Sequence, residues 1–476
     1  MVRGIKLLFG VLVFNAVSGQ EKWTIVGCVD HALKNNISVR QTDLQSRFSE
    51  LTYRQNKAGQ FPSLNFNAST GYRFGRSENP TTGVLEDNNF FNLGMQLQSG
   101  VSIFNWFSQK NTIEASRLSW EADKQQIQKA KEDIALNVAV AYLQILLAKE
   151  QVNLAKVQVR QTTEQLTATR KRVEAGVLPE LNAAELEAQL ARDSSSLVTA
   201  EASVQQFLLQ MKVLLNLDAG TLFDIEIPPV DRIPVEPLAD LQPEAVFALA
   251  IKALPQQKVN ELRIQSAQKL VAAAKGTMYP SFSAFSGMGT NYVNIKIPEI
   301  IPGPFKATGA IVNVNGTDYN VVAPSFVQTG ERHIPLGDQF KNNFAQNFGI
   351  GVSVPIFNGR TARTAWERNK LTVQQFQLQK EQGDMQLKQD IYKAYNDAVA
   401  ALQKFNADNK SVQTAEKAFD FARRRYELNL LSTYDLINSQ NNVLRAKIQA
   451  LYSQYDYVFK MKLLEFYRGQ GLKLVP

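Results

Sequence analysis

Few residues in this sequence could do covalent chemistry. There are two histidines, His31 and His333, and one cysteine, Cys28. A zinc-protease centre needs two histidines one helical turn apart with a glutamate between them, and this pair cannot form one. Neither histidine sits in a metal-ligand spacing, and no serine or cysteine nucleophile motif is present. His31 reads as a packing or surface residue of a helix, and His333 falls in a long loop. A lone cysteine excludes an intrachain disulfide, so Cys28 reads as a buried structural thiol. The glycine pairs Gly287/Gly289 and Gly349/Gly351 lie inside strand-like runs with no helix opening after them. They suit close packing on a curved sheet better than a phosphate loop. No catalysis, metal or cofactor is implied.

The chemistry that remains is recognition, carried by two turns of the same pattern. One runs Arg172-Val173-Glu174-Ala175-Gly176-Val177-Leu178-Pro179-Glu180-Leu181-Asn182, the other Arg425-Tyr426-Glu427-Leu428-Asn429-Leu430-Leu431-Ser432-Thr433-Tyr434-Asp435. Gly176 and Asn429 both tolerate the left-handed conformation that ends a helix. Pro179 and Ser432 both suit the start of the next helix. Val177, Leu178, Leu430 and Leu431 then stand at hairpin tips, where exposed apolar residues invite a partner.

These turns belong to a larger repeat. Residues from Phe104-Asn105 onward match those from Phe357-Asn358 at a constant offset of 253, through Ala141-Tyr142 and Ala394-Tyr395, to Arg172 and Arg425. Earlier residues match at an offset of 218, as in Ala32 and Ala250, Leu44 and Leu262, and Pro62-Ser63 and Pro280-Ser281. The offsets differ by 35, so the second copy carries about 35 extra residues between Pro280 and Phe357. Residues 296–342 are expected to be that extra loop.

Each copy predicts helix, strand, loop, strand, very long helix, turn, helix. The first, 20–217, contains a helix at 24–58, strands at 61–75 and 90–104, and helices at 108–175 and 182–216. The second, 244–468, contains a helix at 244–275, strands at 280–293 and 343–357, and helices at 360–427 and 432–467. A proline-rich linker, 218–243, joins them, and 469–476 is a tail.

The strands alternate with period two. Leu64, Phe66, Tyr72 and Phe74 alternate with Asn65, Asn67, Ser69 and Arg73, and Phe91, Leu93, Met95 and Leu97 with Asn92, Gly94, Gln96 and Gln98. Phe348, Ile350, Val352 and Val354 repeat the pattern, while in the run from Phe282 to Tyr292 the aromatic Phe285 breaks it. Each run has the roughly 9–11 residues of a tilted strand that spans a bilayer. Four strands cannot close a barrel, and open edges are forbidden in lipid. A membrane reading therefore demands several chains, and three would supply twelve strands.

Residues 108–175 hold neither Pro nor Gly and are rich in Ala, Gln, Glu, Lys and Leu. A helix of that length spans about 100 Å, which implies a coiled coil or helical array. The chain of 476 residues is 44% hydrophobic and 20% charged, with no internal apolar run long enough for a membrane helix. Residues 1–19 read as a secretory signal peptide, with Arg3 and Lys6 before an apolar stretch and small residues at Val17, Ser18 and Gly19. The net charge of +8 is spread among acids and amides along helical runs, so no basic patch points to nucleic acid.

This order of elements, with the turn series R-x-x-x-G/N-x-x-P/S-x-x-N/D, resembles the TolC family of outer-membrane efflux proteins over essentially the whole mature chain. The resemblance implies an α plus transmembrane-β fold. A long α-helical hairpin barrel forms a periplasmic tunnel, joined to a four-strand share of a trimeric 12-stranded β-barrel in outer-membrane lipid, with two tandem structural repeats per chain. It implies a homotrimeric exit duct of a tripartite efflux or type I secretion system, for drugs, metals or other substrates. A periplasmic adaptor protein would dock at the hairpin tips Gly176, Val177, Leu178, Asn429, Leu430 and Leu431, beneath which stands an inner-membrane transporter.

The resemblance also places acidic rings and inter-hairpin links at the pore entrance. The first acidic position falls on Asp435, the second on Asn438, an amide. The linking tyrosine position is Tyr426. The linking arginine position is Leu431, and its acidic counterpart on the first hairpin is Asn182, so the closed-state latch differs from that of better-known members. Two alternatives stay open: a secreted structural coiled-coil protein and a stand-alone solute porin.

Overall fold

The computed structural model describes residues 22–78, 84–87, 89–227 and 236–469. The signal peptide, the linker prolines Pro228, Pro229 and Pro234, and most of the tail lie outside the described residues. In chain order the elements are α1 (Ile25–Asn35), α2 (Ile37–Ala58), β1 (Ser63–Arg73), β2 (Arg76–Glu78), β3 (Leu85–Asp87), β4 (Phe90–Phe104), α3 (Ser108–Glu174) and α4 (Glu180–Leu215). After a 3-10 turn at Leu238–Asp240 come α5 (Pro243–Ala253), α6 (Pro255–Gly276), β5 (Ser281–Val293), β6 (Lys296–Pro302), β7 (Lys306–Val314), β8 (Thr317–Ala323) and β9 (Phe326–His333). The chain ends with α7 (Leu336–Asn342), β10 (Ala345–Ser353), α8 (Thr361–Glu427) and α9 (Thr433–Tyr467).

The two copies agree in length as well as order. Helices α1 and α5 have 11 residues each, α2 and α6 have 22, and α3 and α8 have 67. The helices expected at 24–58 and 244–275 are each broken in two, at equivalent residues. Leu254 precedes Pro255 and is held extended, because the proline ring clashes with a helical residue before it. Asn36 does the same work with its side chain. Its Oδ1 accepts from Ser38 N–H at 2.9 Å and its Nδ2 donates to the Leu214 carbonyl at 2.8 Å, which ties α1, α2 and α4 together.

The chain forms two compact units. One, made of residues 1–50, 117–265 and 373–476, is helical in its described part and has repeat-related cores. Val138, Ala141 and Ile145 of α3 bury with Cys28, Ala32, Leu208 and Met211. Their counterparts Ile391, Ala394 and Ala398 of α8 bury with Val246, Ala250, Met461 and Leu464. Apolar faces of this kind supply most of a helix's stability in a protein. Tyr142, 1% exposed, donates its hydroxyl to the Glu226 carbonyl at 2.6 Å, and Trp23 pairs with Ile225 in a parallel bridge.

The other unit, residues 51–116 and 266–372, holds the sheets. Four antiparallel strands lie in the order β1-β4-β5-β10, so β1 and β10 are open edges. Register puts Leu64, Phe66, Tyr72, Phe91, Leu93, Leu97, Phe348, Ile350 and Val352 on one face, and Asn65, Asn67, Gln96, Gln98, Asn291 and Asn347 on the other. The run expected at 343–357 pairs only as far as Ser353, two residues before Pro355, which has no N–H to give the ladder. At the β4–α3 turn, Phe104, Trp106, Phe107 and Tyr279 form an aromatic cluster with ring centroids 5.0–5.5 Å apart, the composition of an interfacial girdle.

The extra segment 296–342, expected as a long loop, builds strand pairs and a short helix of its own. β6 pairs with β9 and β7 with β8. Asn315 and Gly316 both have positive φ, at 56° and 86°, which is the two-residue turn that closes a tight hairpin. Among the described residues no helix is long and apolar enough to cross a membrane.

Candidate functional site

The two hairpin turns have one backbone design. At the first, Gly176 has φ +70°. Its N–H donates to Val173 O at 2.8 Å, and Val177 N–H donates to Arg172 O at 2.8 Å. At the second, Asn429 has φ +59°, its N–H donates to Tyr426 O at 3.0 Å, and Leu430 N–H donates to Arg425 O at 2.8 Å. Both are the same left-handed cap, which satisfies the last carbonyls of α3 and α8. Identical capping presents Val177 and Leu430 alike; they are 54% and 63% exposed. Leu178 and Leu431, one residue on, are half-buried, while Leu181 and Tyr434 are exposed.

The helices that leave the turns start differently. Pro179 supplies no side-chain cap to α4. Ser432 caps α9, its Oγ accepting from Asp435 N–H at 3.1 Å and donating to the Asp435 carboxylate at 2.7 Å. Asp435 therefore sits in the first turn of α9, exposed, where its charge also complements the helix dipole. Asn438 follows it, likewise exposed, and Asn182 is half-buried at the start of α4, its N–H bonded to Pro179 O at 3.1 Å.

Tyr426 of α8 hydrogen-bonds to a residue of α3 and to one of α9. Tyr426 is 9% exposed, and its hydroxyl lies 3.0 Å from Thr169 Oγ1 and 3.4 Å from Thr433 Oγ1. Arg172 covers the tyrosine ring, 5.7 Å from its centroid, and hydrogen-bonds the Asn429 side chain. Arg170 pairs with Glu187 at 2.6 Å across α3 and α4.

Sequence reasoning did not find the polar layer farther along these helices. Asp193, 5% exposed, accepts from Thr162 Oγ1 at 2.6 Å and from Gln189 Nε2 at 2.7 Å. Gln440 of α9 donates to Thr162 at 3.4 Å, and Gln189 reaches Asn441 at 3.2 Å. A buried carboxylate survives in such a place because its oxygens are hydrogen-bonded. The signal available was a lone aspartate on the apolar spacing of α4, which sequence cannot tell from a surface charge.

His31 packs its ring edge-on against Trp23 at 5.1 Å, and His333 ends β9 opposite Lys296. Among the described residues no group of acids, histidines and cysteine could hold a metal ion.

An open sheet with one apolar face and paired long helical hairpins define an outer-membrane channel protein, and the chain belongs to the outer membrane efflux protein family, whose family model it matches over residues 28–217 and 322–466. It is 20% identical to the outer membrane efflux protein BepC of Brucella suis over 459 residues, which are 96% of this chain and 87% of that one. Its fold is shared with CusC, at a TM-score of 0.75 and 17% identity over 94% of this chain and 92% of that one. The Vibrio cholerae outer membrane protein VceC superposes at a TM-score of 0.73 and 15% identity, covering 94% of this chain and 97% of its own. The protein is thus placed in the outer membrane, with its tunnel in the periplasm.

Proposed function

We propose that three copies of this chain close one 12-stranded barrel and serve as the passive exit duct of a tripartite efflux or type I secretion system. The observation that carries this reading is the open sheet. β1 and β10 each present an unpaired edge, and Phe66, Phe348 and Ile350 are 64%, 89% and 72% exposed. Unpaired edges are intolerable in lipid, and twelve strands are a size that outer-membrane barrels adopt. Pairing β10 of one copy with β1 of the next removes every edge and leaves the apolar face to lipid and the amide face to water.

On this reading the tips at Gly176, Val177, Leu178, Asn429, Leu430 and Leu431 dock a periplasmic adaptor protein, which joins the duct to an inner-membrane transporter. Three chains present six alike-capped tips, a pseudo-sixfold face. Tyr426 and Asn182 belong to the closing contacts of the entrance, and Asp435, with Asn438 one turn on, lines it. Native mass spectrometry in detergent tests the assembly: three chains are expected, and a stable folded monomer in lipid overturns it.

A further inference from the structure

The strand residue that breaks the alternation has a specific place. Phe285 stands opposite Gly100 of β4 and Gly349 of β10, on the face that carries Asn65, Gln98 and Asn347. It is 48% exposed. Away from the strand ends it is the one large apolar side chain among the described residues of that face. Only Arg73 is charged in the four strands, so the wall around Phe285 is neutral and amide-lined.

The ring does not stand upright. A Cβ placed on Gly349 would lie 2.7 Å from Phe285 Cζ and within 3.3 Å of both Cε atoms. The ring therefore lies over the bare backbone of Gly349, an arrangement only glycine permits there. Beside it is a groove of about 290 Å³ lined by Asn65, Gln96, Gln98 and Asn347 as well as Phe285. A flat aromatic face framed by amides offers stacking to a passing ring and hydrogen bonds to its polar substituents.

We infer that Phe285 is a solute-contact site on the barrel wall, a stacking face for planar aromatic solutes in an otherwise uncharged pore. The inference rests on the duct reading, in which the amide face lines the lumen. Three chains would place three such faces around one conduit. A ring lying on the wall leaves the lumen open, so the site slows aromatic solutes without closing the channel.

The test is single-channel recording in planar bilayers, with ethidium as the aromatic probe and tetraethylammonium as a cation without a ring. In Phe285→Ala the dwell time of ethidium blocks should fall roughly two- to tenfold, the range of one lost aromatic contact, while tetraethylammonium is unaffected. Gly349→Ala should act oppositely. Its methyl group lifts the ring off the wall, so open-channel conductance falls and ethidium blocks lengthen. Phe285→Cys, in a Cys28→Ala background, should react with a membrane-impermeant thiol reagent and change conductance. Unchanged ethidium dwell in Phe285→Ala, or an unreactive Phe285→Cys in a conducting channel, overturns the site and leaves the duct standing. No conductance from the wild-type protein defeats the duct reading, and the stacking site with it.

Discussion

Thr169 and Tyr426, 257 residues apart in the chain, share a buried hydrogen bond of 3.0 Å between their hydroxyls. The tyrosine also touches Thr433 at the head of α9 and carries Arg172 over its ring. One side chain thus gathers the end of α3, the end of α8 and the start of α9. Tyr426→Phe keeps the packing and removes the hydroxyl, leaving Thr169 without that partner. A lost buried hydrogen bond costs about 1 kcal/mol. The expected outcome is a lower melting temperature together with higher resting conductance in planar bilayers. Lower stability with unchanged conductance would make Tyr426 a packing residue and no part of a closing contact.

The tips supply a cleaner test. Gly176 has positive φ, so any side chain there adds backbone strain to whatever else it does. Leu430 has no such constraint and is exposed. Leu430→Asp should abolish drug export in cells while native mass spectrometry still finds the same assembly. The repeat-related Val177→Asp should behave alike. Unchanged drug resistance in both variants would place docking elsewhere on the helices.

Much of the fold class was legible because each element is periodic in itself. The period-two runs of β1 and β4, the long run of α3 without Pro or Gly, the equally long run of α8 with Gly383 alone, and the two constant offsets needed no long-range information. What was missed depends on neighbours. Nothing in the sequence joins Thr169 to Tyr426, or hydrogen-bonds Asp193 to Thr162 across two helices. Phe285 looked like an irregularity because Gly349, the residue that makes room for it, lies in another strand. The strand pairs inside 296–342 were open to a local reading, because Asn315-Gly316 is the turn signal of a tight hairpin.

β6 follows β5 after two residues, and α7 returns the chain to β10 with Gln339 Nε2 bonded to the Val293 carbonyl at 2.9 Å. Long connections of outer-membrane barrels face outward. An epitope tag inserted between Asn315 and Gly316 should bind antibody on intact cells. Staining only after permeabilisation would reverse the orientation.

Cys28 tests the helical core by alkali. The thiol is fully buried, and burial pushes its pKa up to about 12 from an ordinary 9.0. The native state therefore holds the neutral thiol while the unfolded chain ionises. The associated stability is complete below about pH 9 and is lost as pH rises towards 12. A thiol-reactive chromogen at pH 8 should leave the folded protein unlabelled and label it once unfolded. Rapid labelling of the native protein would contradict this burial. Cys28→Ser, which places a hydroxyl in the buried apolar cluster that also holds Tyr142, should lower stability by about 1–3 kcal/mol.

Asp435 offers two roles to one carboxylate. Its hydrogen bond with Ser432 and its place in the first turn of α9 make it a helix-start residue, an effect of about 0.3–1 kcal/mol. Its exposure leaves the charge free to act on ions as well, and three copies near one axis would repel each other and attract cations. The two roles separate by substitution. Ser432→Ala removes the cap and keeps the charge, so it should cost about 1 kcal/mol of stability with cation selectivity intact. Asp435→Asn keeps a side-chain oxygen able to accept from Ser432 Oγ and removes the charge, so selectivity for cations and block by multivalent cations should fall. Asn438→Asp adds a carboxylate one turn further along the helix and should deepen that block. If Asp435→Asn lowers thermal stability while selectivity and block stay as they were, the carboxylate serves the helix alone and no acidic ring exists at this entrance.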